Sequence, residues 1–250
     1  MTNEFYDPLA DFYHLIHGDW EESIRRQAVA INQIIKDAWG SAETILDVTC
    51  GIGTQALGLA ALGYDVTASD LSPGAVERGA AEAKARNLKI RFEVADMTRV
   101  HETYKNQFDL VMSADNAVTH LLNDDLILGA LKSFYQVARP GGGCLVSMRD
   151  YDAVEKGGRQ FHPYGVREHD GKIWNVYQVW NWRDDGSDVY DFGMYFTADD
   201  GGSELTTHVM RSSFYALSPA RMIALFEEAG FKDVRRIDGV FFQPVIVGTK

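Results

Sequence analysis

The stretch "ILDVTCGIGTQALGLAALGYDVTASDLS", residues 45–72, decides the fold. A short apolar run ending in Asp47 leads into a glycine turn, then a small-residue segment, "TQALGLAALG", then a second apolar run ending in Asp70. Within the turn, Gly51-Ile52-Gly53-Thr54-Gln55-Ala56 satisfies the pattern G-x-G-x-x-G/A. Gly51 and Gly53 let the backbone bend sharply and approach a ligand, and the helix that follows presents free N–H groups. Asp70, at the end of the second strand, is placed to accept hydrogen bonds from a ribose diol. The loop therefore predicts a site for a nucleotide-containing cofactor. The pattern alone leaves open which one.

Working outward, Asp19 is the expected N-cap of a helix that runs to about Trp39 and stops at Gly40. Its Trp20, Ile24, Ala28, Ile31 and Ile35 recur at helical spacing and form one core-facing stripe. Downstream, Ser72-Pro73 opens a second helix as N-cap and first helical residue. "KIRFEVAD", "FDLVMSA" and "GGCLVSMR" read as strands, and a helix between the last two starts near Asn123 and ends before Arg139. Strands alternating with helices predict an α/β fold, a doubly wound, Rossmann-like sheet of seven mostly parallel strands.

From about Tyr151 to Tyr215 the rhythm changes. "KIWNVYQVWNW", "SDVYDFGMYFTA" and "ELTTHVMRSSFYAL" read as three strands with turns at Asp185-Gly186 and Asp200-Gly201-Gly202. With no helix between them, they predict an antiparallel β-meander inserted as a lid. Tyr190, Phe192, Met194 and Phe196 alternate onto one face of it. Ser218-Pro219 caps a last helix ended by Gly230, and "DVRRID" and "PVIVGTK" close the sheet. The expected organisation is an N-terminal helical arm (1–42), a cofactor-binding core (43–150), the lid (151–216) and a closing helix and strands (217–250).

Lys and Arg number 24 against 36 Asp and Glu, and the resulting charge of −12 opposes non-specific attraction to nucleic acid or an anionic membrane. A small-molecule acceptor is the expected partner, with a homo-oligomer left open. The start "MTNEFYDPLADFY" has no signal-peptide pattern, and no apolar run approaches the roughly 18 residues of a membrane span. Cys50 and Cys144 lie in apolar contexts and are expected to be reduced, as in a cytoplasmic protein. The histidines show no metal-ligand spacing, so no metal is expected.

The neighbours of the glycine turn separate NAD from S-adenosylmethionine. Asp47 makes the pattern Asp47-x-x-x-Gly51-x-Gly53. A carboxylate there organises the turn and can receive a ligand's amino group, whereas a pyrophosphate would be repelled. "EVADMT" places Asp96 and Met97 at the end of the third strand, and "FDLVMSADN" and "ARPGGGCLVSM" follow. These four motifs, in this order, resemble the class I S-adenosylmethionine-dependent methyltransferases. The resemblance implies S-adenosyl-L-methionine as cofactor and S-adenosyl-L-homocysteine as product. It implies that Asp96 accepts from the adenine amine while Met97 packs on the ring, with Leu71 and Ser113 completing the cofactor shell. An NAD(P)-binding oxidoreductase is the alternative.

"SADNAVTHLLND" and "LVSMRDYDAV" narrow this further, because they resemble the corresponding segments of the glycine/sarcosine N-methyltransferase family. That likeness runs from about Tyr6 to Asp152 and implies that Asn116 and Arg149 hold and orient the substrate. A guanidinium at a strand end also suits bidentate recognition of a carboxylate; an ion pair with Asp150 or Asp152 is the structural alternative. Where the family has "GNS" this chain has Asp115-Asn116-Ala117. The extra acid favours an acceptor more cationic or polar than glycine. In the family an N-terminal arm folds over the cofactor. Tyr6, Tyr13 and Trp20 are accordingly expected to cover the adenosine or the substrate, and Arg25 to reach the methionine carboxylate, with Arg26 pointing away.

The lid aromatics Trp174, Tyr177, Trp180, Trp182, Tyr190, Phe192 and Tyr195 are candidates for the acceptor wall, Trp174 and Tyr177 first, and an aromatic face there can also stabilise a sulfonium or an ammonium. His120 reads as a structural hydrogen-bonding residue, with general base as the sharper alternative. His162 and His169 fall in an expected loop with Arg159 and Arg167.

Methyl transfer from a sulfonium is an in-line displacement that requires a nucleophile held about 3 Å from the methyl and water excluded. A neutral amine attacks without a strong protein base, so orientation suffices and nitrogen is the favoured acceptor. The expected activity is methylation of the amine of a small, carboxylate-bearing molecule. Alternatives are a natural-product or amino-sugar methyltransferase, and a protein that binds the cofactor without turnover.

Overall fold

A computed structural model describes residues 5–250 of the chain. The elements, in order, are α1 (Tyr6–Leu9), a 3-10 turn (Tyr13–Ile16), α2 (Trp20–Trp39), β1 (Thr44–Asp47), α3 (Thr54–Ala61) and β2 (Asp65–Asp70). Then come α4 (Pro73–Ala85), β3 (Ile90–Val94), α5 (Val100–Thr103), β4 (Phe108–Ser113), α6 (Asp124–Val137) and β5 (Ala138–Ser147). Four long strands follow, β6 (Arg159–His169), β7 (Lys172–Trp182), β8 (Val189–Asp199) and β9 (Thr206–Tyr215), and the chain closes with α7 (Pro219–Ala229), β10 (Lys232–Ile237) and β11 (Val245–Thr249).

The expected capping chemistry is present. The side chains of Asp19, Ser72, Asn123 and Ser218 each accept a backbone N–H in the first turn of their helix. Gly40 and Gly230, both at positive φ, end α2 and α7.

The large sheet runs β10-β11-β5-β4-β1-β2-β3, with β11 antiparallel to both neighbours and the other pairings parallel. It is the doubly wound sheet of seven strands that the alternation predicts. Because β1 has β2 on one side and β4 on the other, the chain winds in opposite directions from this point. The crevice beyond the strands' carboxyl ends is where such sheets bind ligands. Gly58 lets α2 approach α3 closely: a Cβ there would lie 2.5 Å from the Ile24 carbonyl oxygen and 2.6 Å from the Ala28 Cβ. This contact fixes the helical arm against the glycine turn's own helix.

The second sheet, β6-β7-β8-β9, is fully antiparallel. Tyr190, Phe192, Met194 and Phe196 are all buried on its inner face. It has four strands where three are legible. The segment expected as a loop around His162 and His169 is β6, paired with β7 over its whole length. Pro163 and Gly165 hid it, since they sit at a register shift in the pairing, and proline and glycine are tolerated in strands at bulges and edges. Cys50 and Cys144 are buried and unpaired. No helix among the described residues is long and apolar enough to cross a membrane.

Candidate active site

Two cavities of ligand size meet beyond the carboxyl ends of the parallel strands, with about 720 and 1070 Å³ of empty space, counting that open to solvent. The first runs from the glycine turn (Thr49, Cys50, Gly51) past Asp70 and Leu71 to Met97. The second lies under the inner face of the antiparallel sheet and is walled by Arg149, Tyr164, Gln178, Phe192 and Phe214. Tyr6, Tyr13 and Asp115 line both, so they stand where the cavities join.

In the first cavity, Asp70 organises the turn as well as facing the space. Its Oδ2 accepts from the Gly51 N–H at 2.9 Å and its Oδ1 from the Ser72 N–H at 3.0 Å. Burial raises its pKa, and these two N–H bonds oppose the shift. Gly53, at φ +96°, N-caps α3 and packs near Leu57 and Phe92; it does not line the cavity.

Three residues expected to contact the cofactor do not line this cavity. Asp47 is fully buried, accepts from the Thr49 N–H at 3.2 Å, and leaves Oδ2 without a partner; burial pushes its pKa up to about 7. Ser113 is screened from the space by Thr49, whose hydroxyl it meets at 2.8 Å. Asp96 caps the turn after β3 through Thr98, accepting its N–H at 2.9 Å and its hydroxyl at 2.8 Å, while only Met97 reaches the cavity.

The arm divides in the same way. Tyr6 and Tyr13 line the junction, but Trp20 turns to donate to Thr54 Oγ1 at 2.9 Å and stacks under Arg86. Arg25 is exposed and paired with Glu22, whereas Arg26 lines the second cavity beside the buried Gln27. Of these two neighbours it is Arg26, not Arg25, that reaches a cavity wall, because one helical residue is a rotation of about 100° and the register could not be read from the stripe.

The tie between Tyr6 and His120 sets a proton. His120 Nδ1 lies 3.0 Å from the Ser213 carbonyl oxygen, which can only accept, so Nε2 is bare and the Tyr6 hydroxyl donates to it at 2.6 Å. Burial depresses the His120 pKa to about 3, and the ring is neutral.

In the second cavity Arg149 is held by tyrosines, not by acids. Its Nη1 donates to Tyr190 Oη at 2.7 Å, and the guanidinium lies 4.7 Å from the centre of the Trp180 ring. Asp150, a structural alternative as its partner, pairs with Arg236 at 2.6 Å instead, and no carboxylate among the described residues pairs with Arg149. Asn116 is buried with both ends of its amide engaged. Its Oδ1 accepts from the Arg149 N–H at 2.9 Å and its Nδ2 donates to Tyr151 Oη at 2.8 Å. Asn116 thus ties the loop after β4 to the residue after β5.

Of the lid aromatics, Phe192 lines the acceptor space, whereas Trp174 and Tyr177 do not. Trp174 packs against Phe12 of the arm, and Tyr177 stacks on Tyr195 on the outer face. Alternation along β7 puts Val176, Gln178 and Trp180 inward and Tyr177 outward. Gln178 was therefore findable by that period. Gln243, His17 and Tyr164 also line the second cavity, and nothing local in the sequence marks them.

Residues 45–142 match the family model described as a methyltransferase domain. The glycine/sarcosine N-methyltransferase of Parasynechococcus marenigrum (strain WH8102) is 25% identical over 219 residues, 86% of this chain and 72% of that protein. Among solved structures, the CcbJ methyltransferase of Streptomyces caelestis superposes with a TM-score of 0.79 at 18% identity, over all of this chain and 98% of that one. SAM-bound CalS10, an amino pentose methyltransferase of Micromonospora echinaspora, gives 0.78 at 18% identity over 96% of each chain.

Proposed function

We propose that this chain, an S-adenosylmethionine-dependent methyltransferase, methylates the nitrogen of a small acceptor that also carries an anionic group, a carboxylate first of all. The observation that carries this is Arg149. A guanidinium is effectively always charged, and this one sits in the wall of an aromatic-lined cavity with only neutral hydroxyls as partners. A buried cation without a counter-ion is costly, and a bound carboxylate supplies one with bidentate geometry.

In this reading the cofactor's ribose lies on Asp70, its adenine on Met97 and Leu71, and its sulfonium at the junction of the two cavities. Arg26 is the candidate for the methionine carboxylate in place of Arg25. The phenol oxygen of Tyr6, its proton committed to His120, keeps its lone pairs for the polarised methyl of the sulfonium at the junction. The neutral amine attacks the methyl carbon with its lone pair. The carbon–sulfur bond breaks with its electrons going to sulfur, leaving S-adenosyl-L-homocysteine and a methylated ammonium. The residues orient and exclude water, which suffices for a reaction already driven by the sulfonium.

A second reading is favoured by the size of the acceptor cavity, which exceeds what glycine fills. It takes a natural-product amine or an amino sugar, with a phosphate on Arg149. The test is S-adenosyl-L-homocysteine release and product mass with sarcosine, longer amino acids, an amino-sugar phosphate and neutral glucosamine. Turnover confined to anion-bearing amines, lost in Arg149→Met, supports the reading. Equal turnover of glucosamine would sink it.

A further inference from the structure

We infer that Asp115 holds the acceptor's ammonium, so that the site selects zwitterions by pairing this carboxylate with the Arg149 guanidinium. The inference rests on the reading of Arg149 given above.

Asp115 lies in the first turn after β4, where the chain breaks from regular structure. Asp115 and Asn116 adopt φ of +57° and +66° in succession. Two adjacent non-glycine residues persist in this region only where the surroundings impose it, and such conformations gather at ligand sites. Here a closed ring of hydrogen bonds imposes it. The Asp115 N–H donates to Ser147 Oγ at 2.7 Å, Ser147 Oγ donates to Gln243 Oε1 at 3.1 Å, and Gln243 Nε2 donates back to Asp115 Oδ1 at 3.1 Å. Tyr13 Oη donates to the other carboxylate oxygen at 3.1 Å.

Both partners of the carboxylate, Gln243 and Tyr13, are neutral, and no arginine, lysine or histidine among the described residues makes an ion pair with Asp115. The cavity therefore holds an acid and a base, Asp115 and Arg149, that face the same space without pairing. Asn116 fixes their separation, since it follows Asp115 directly and accepts from the Arg149 backbone. Asp115 lies at the junction, where a nitrogen must sit to meet the methyl, and Arg149 lies in the acceptor cavity only. A ligand with an ammonium at one end and a carboxylate at the other neutralises both. The bound ammonium is then delivered in place and attacks once it has released a proton to solvent.

The test measures binding to the protein saturated with S-adenosyl-L-homocysteine, by calorimetry, so no turnover is required. The probes are glycine, β-alanine, 4-aminobutyrate and 6-aminohexanoate, each beside the acid that lacks the amine. The wild type should bind at least one amino acid about tenfold or more tightly than its partner acid. Asp115→Asn should abolish that preference while S-adenosyl-L-homocysteine affinity stays within about twofold. Asparagine suits the left-handed backbone here; its Oδ1 can still accept from Gln243, and its Nδ2 can donate to the Tyr13 hydroxyl, which accepts as well as donates.

Absence of any preference for the zwitterions overturns the proposal. So does a loss of S-adenosyl-L-homocysteine affinity in Asp115→Asn, which would assign the carboxylate to the cofactor's own ammonium. Failure of the Arg149 reading looks different. In that case neither acid nor amino acid responds to Arg149→Met.

Discussion

Tyr6 and His120, 114 positions apart in the chain, are joined by a 2.6 Å hydrogen bond that closes the arm over the junction of the two cavities. The Ser213 carbonyl on the opposite side of the imidazole fixes the tautomer, so the phenol is the donor. The arm is thereby tied at once to the loop after β4 and to the edge strand β9.

Removing this donor should loosen the arm. In Tyr6→Phe the Nε2 of His120 loses its partner in a buried setting, a change worth about 1–2 kcal/mol. The expected result is a lower melting temperature and weaker S-adenosyl-L-homocysteine binding. Unchanged values of both would show that the arm is held by packing alone.

His120 should leave no mark on the pH–rate profile. Its folded pKa, depressed to about 3 by burial, lies below the ordinary 6.5. The unfolded chain therefore takes up a proton as pH falls through 6.5 and the folded one does not. Stability drawn from the neutral ring is present above pH 6.5 and is lost progressively toward pH 3. Between pH 7 and 10 any inflection in kcat/KM should follow the amine pKa of the acceptor chosen, and it should persist in His120→Asn. An inflection that stays fixed across acceptors and disappears in the variant would make His120 a base.

The two neighbouring arginines of α2 should behave oppositely. Arg26→Ala should weaken S-adenosyl-L-homocysteine about tenfold, the worth of a hydrogen bond to a charged group. Arg25→Ala should change it by less than about twofold, since its exposed pairing with Glu22 contributes little. Calorimetric titration of both variants decides it.

Asp70→Ala removes the acceptor for the Gly51 and Ser72 N–H groups as well as the expected ribose contact. S-adenosyl-L-homocysteine affinity should fall by about tenfold or more. Binding that survives the substitution would place the ribose elsewhere.

Asp47 carries a pH signature of the opposite sign to that of His120. Its folded pKa of about 7 lies above the ordinary 3.8, so the folded state keeps a proton that the unfolded chain releases. Stability is lost as pH rises from about 4 to 7, by at most about 4 kcal/mol. Asp47→Asn should therefore raise the melting temperature at pH 8 and leave it little changed near pH 4. The same gain at both pH values would show that the charge at Asp47 is not its cause.

The sequence by itself determined what depends on neighbours along the chain. The glycine turn between two apolar strands, the capped helices and the alternating segments are local signals, and each became the element it announced. That logic also brings Asp70, Leu71, Met97 and Asp115 to one crevice, because strand ends in a parallel sheet converge wherever the chain reverses its winding.

Only the tertiary structure decided which of the adjacent side chains face the space. Asp47, Asp96 and Ser113 bond to their own turns or to a neighbouring hydroxyl and do not line the cavity, whereas Asp70 bonds its turn and lines it as well. Arg26 displaced Arg25, and Gln178 displaced Tyr177, because a single step along a helix or strand exchanges faces. The unpaired charges of Arg149 and Asp115 are a tertiary fact too. An arginine beside acidic neighbours in sequence reads as an ion pair until the fold gives Asp150 to Arg236 and leaves the guanidinium to the cavity.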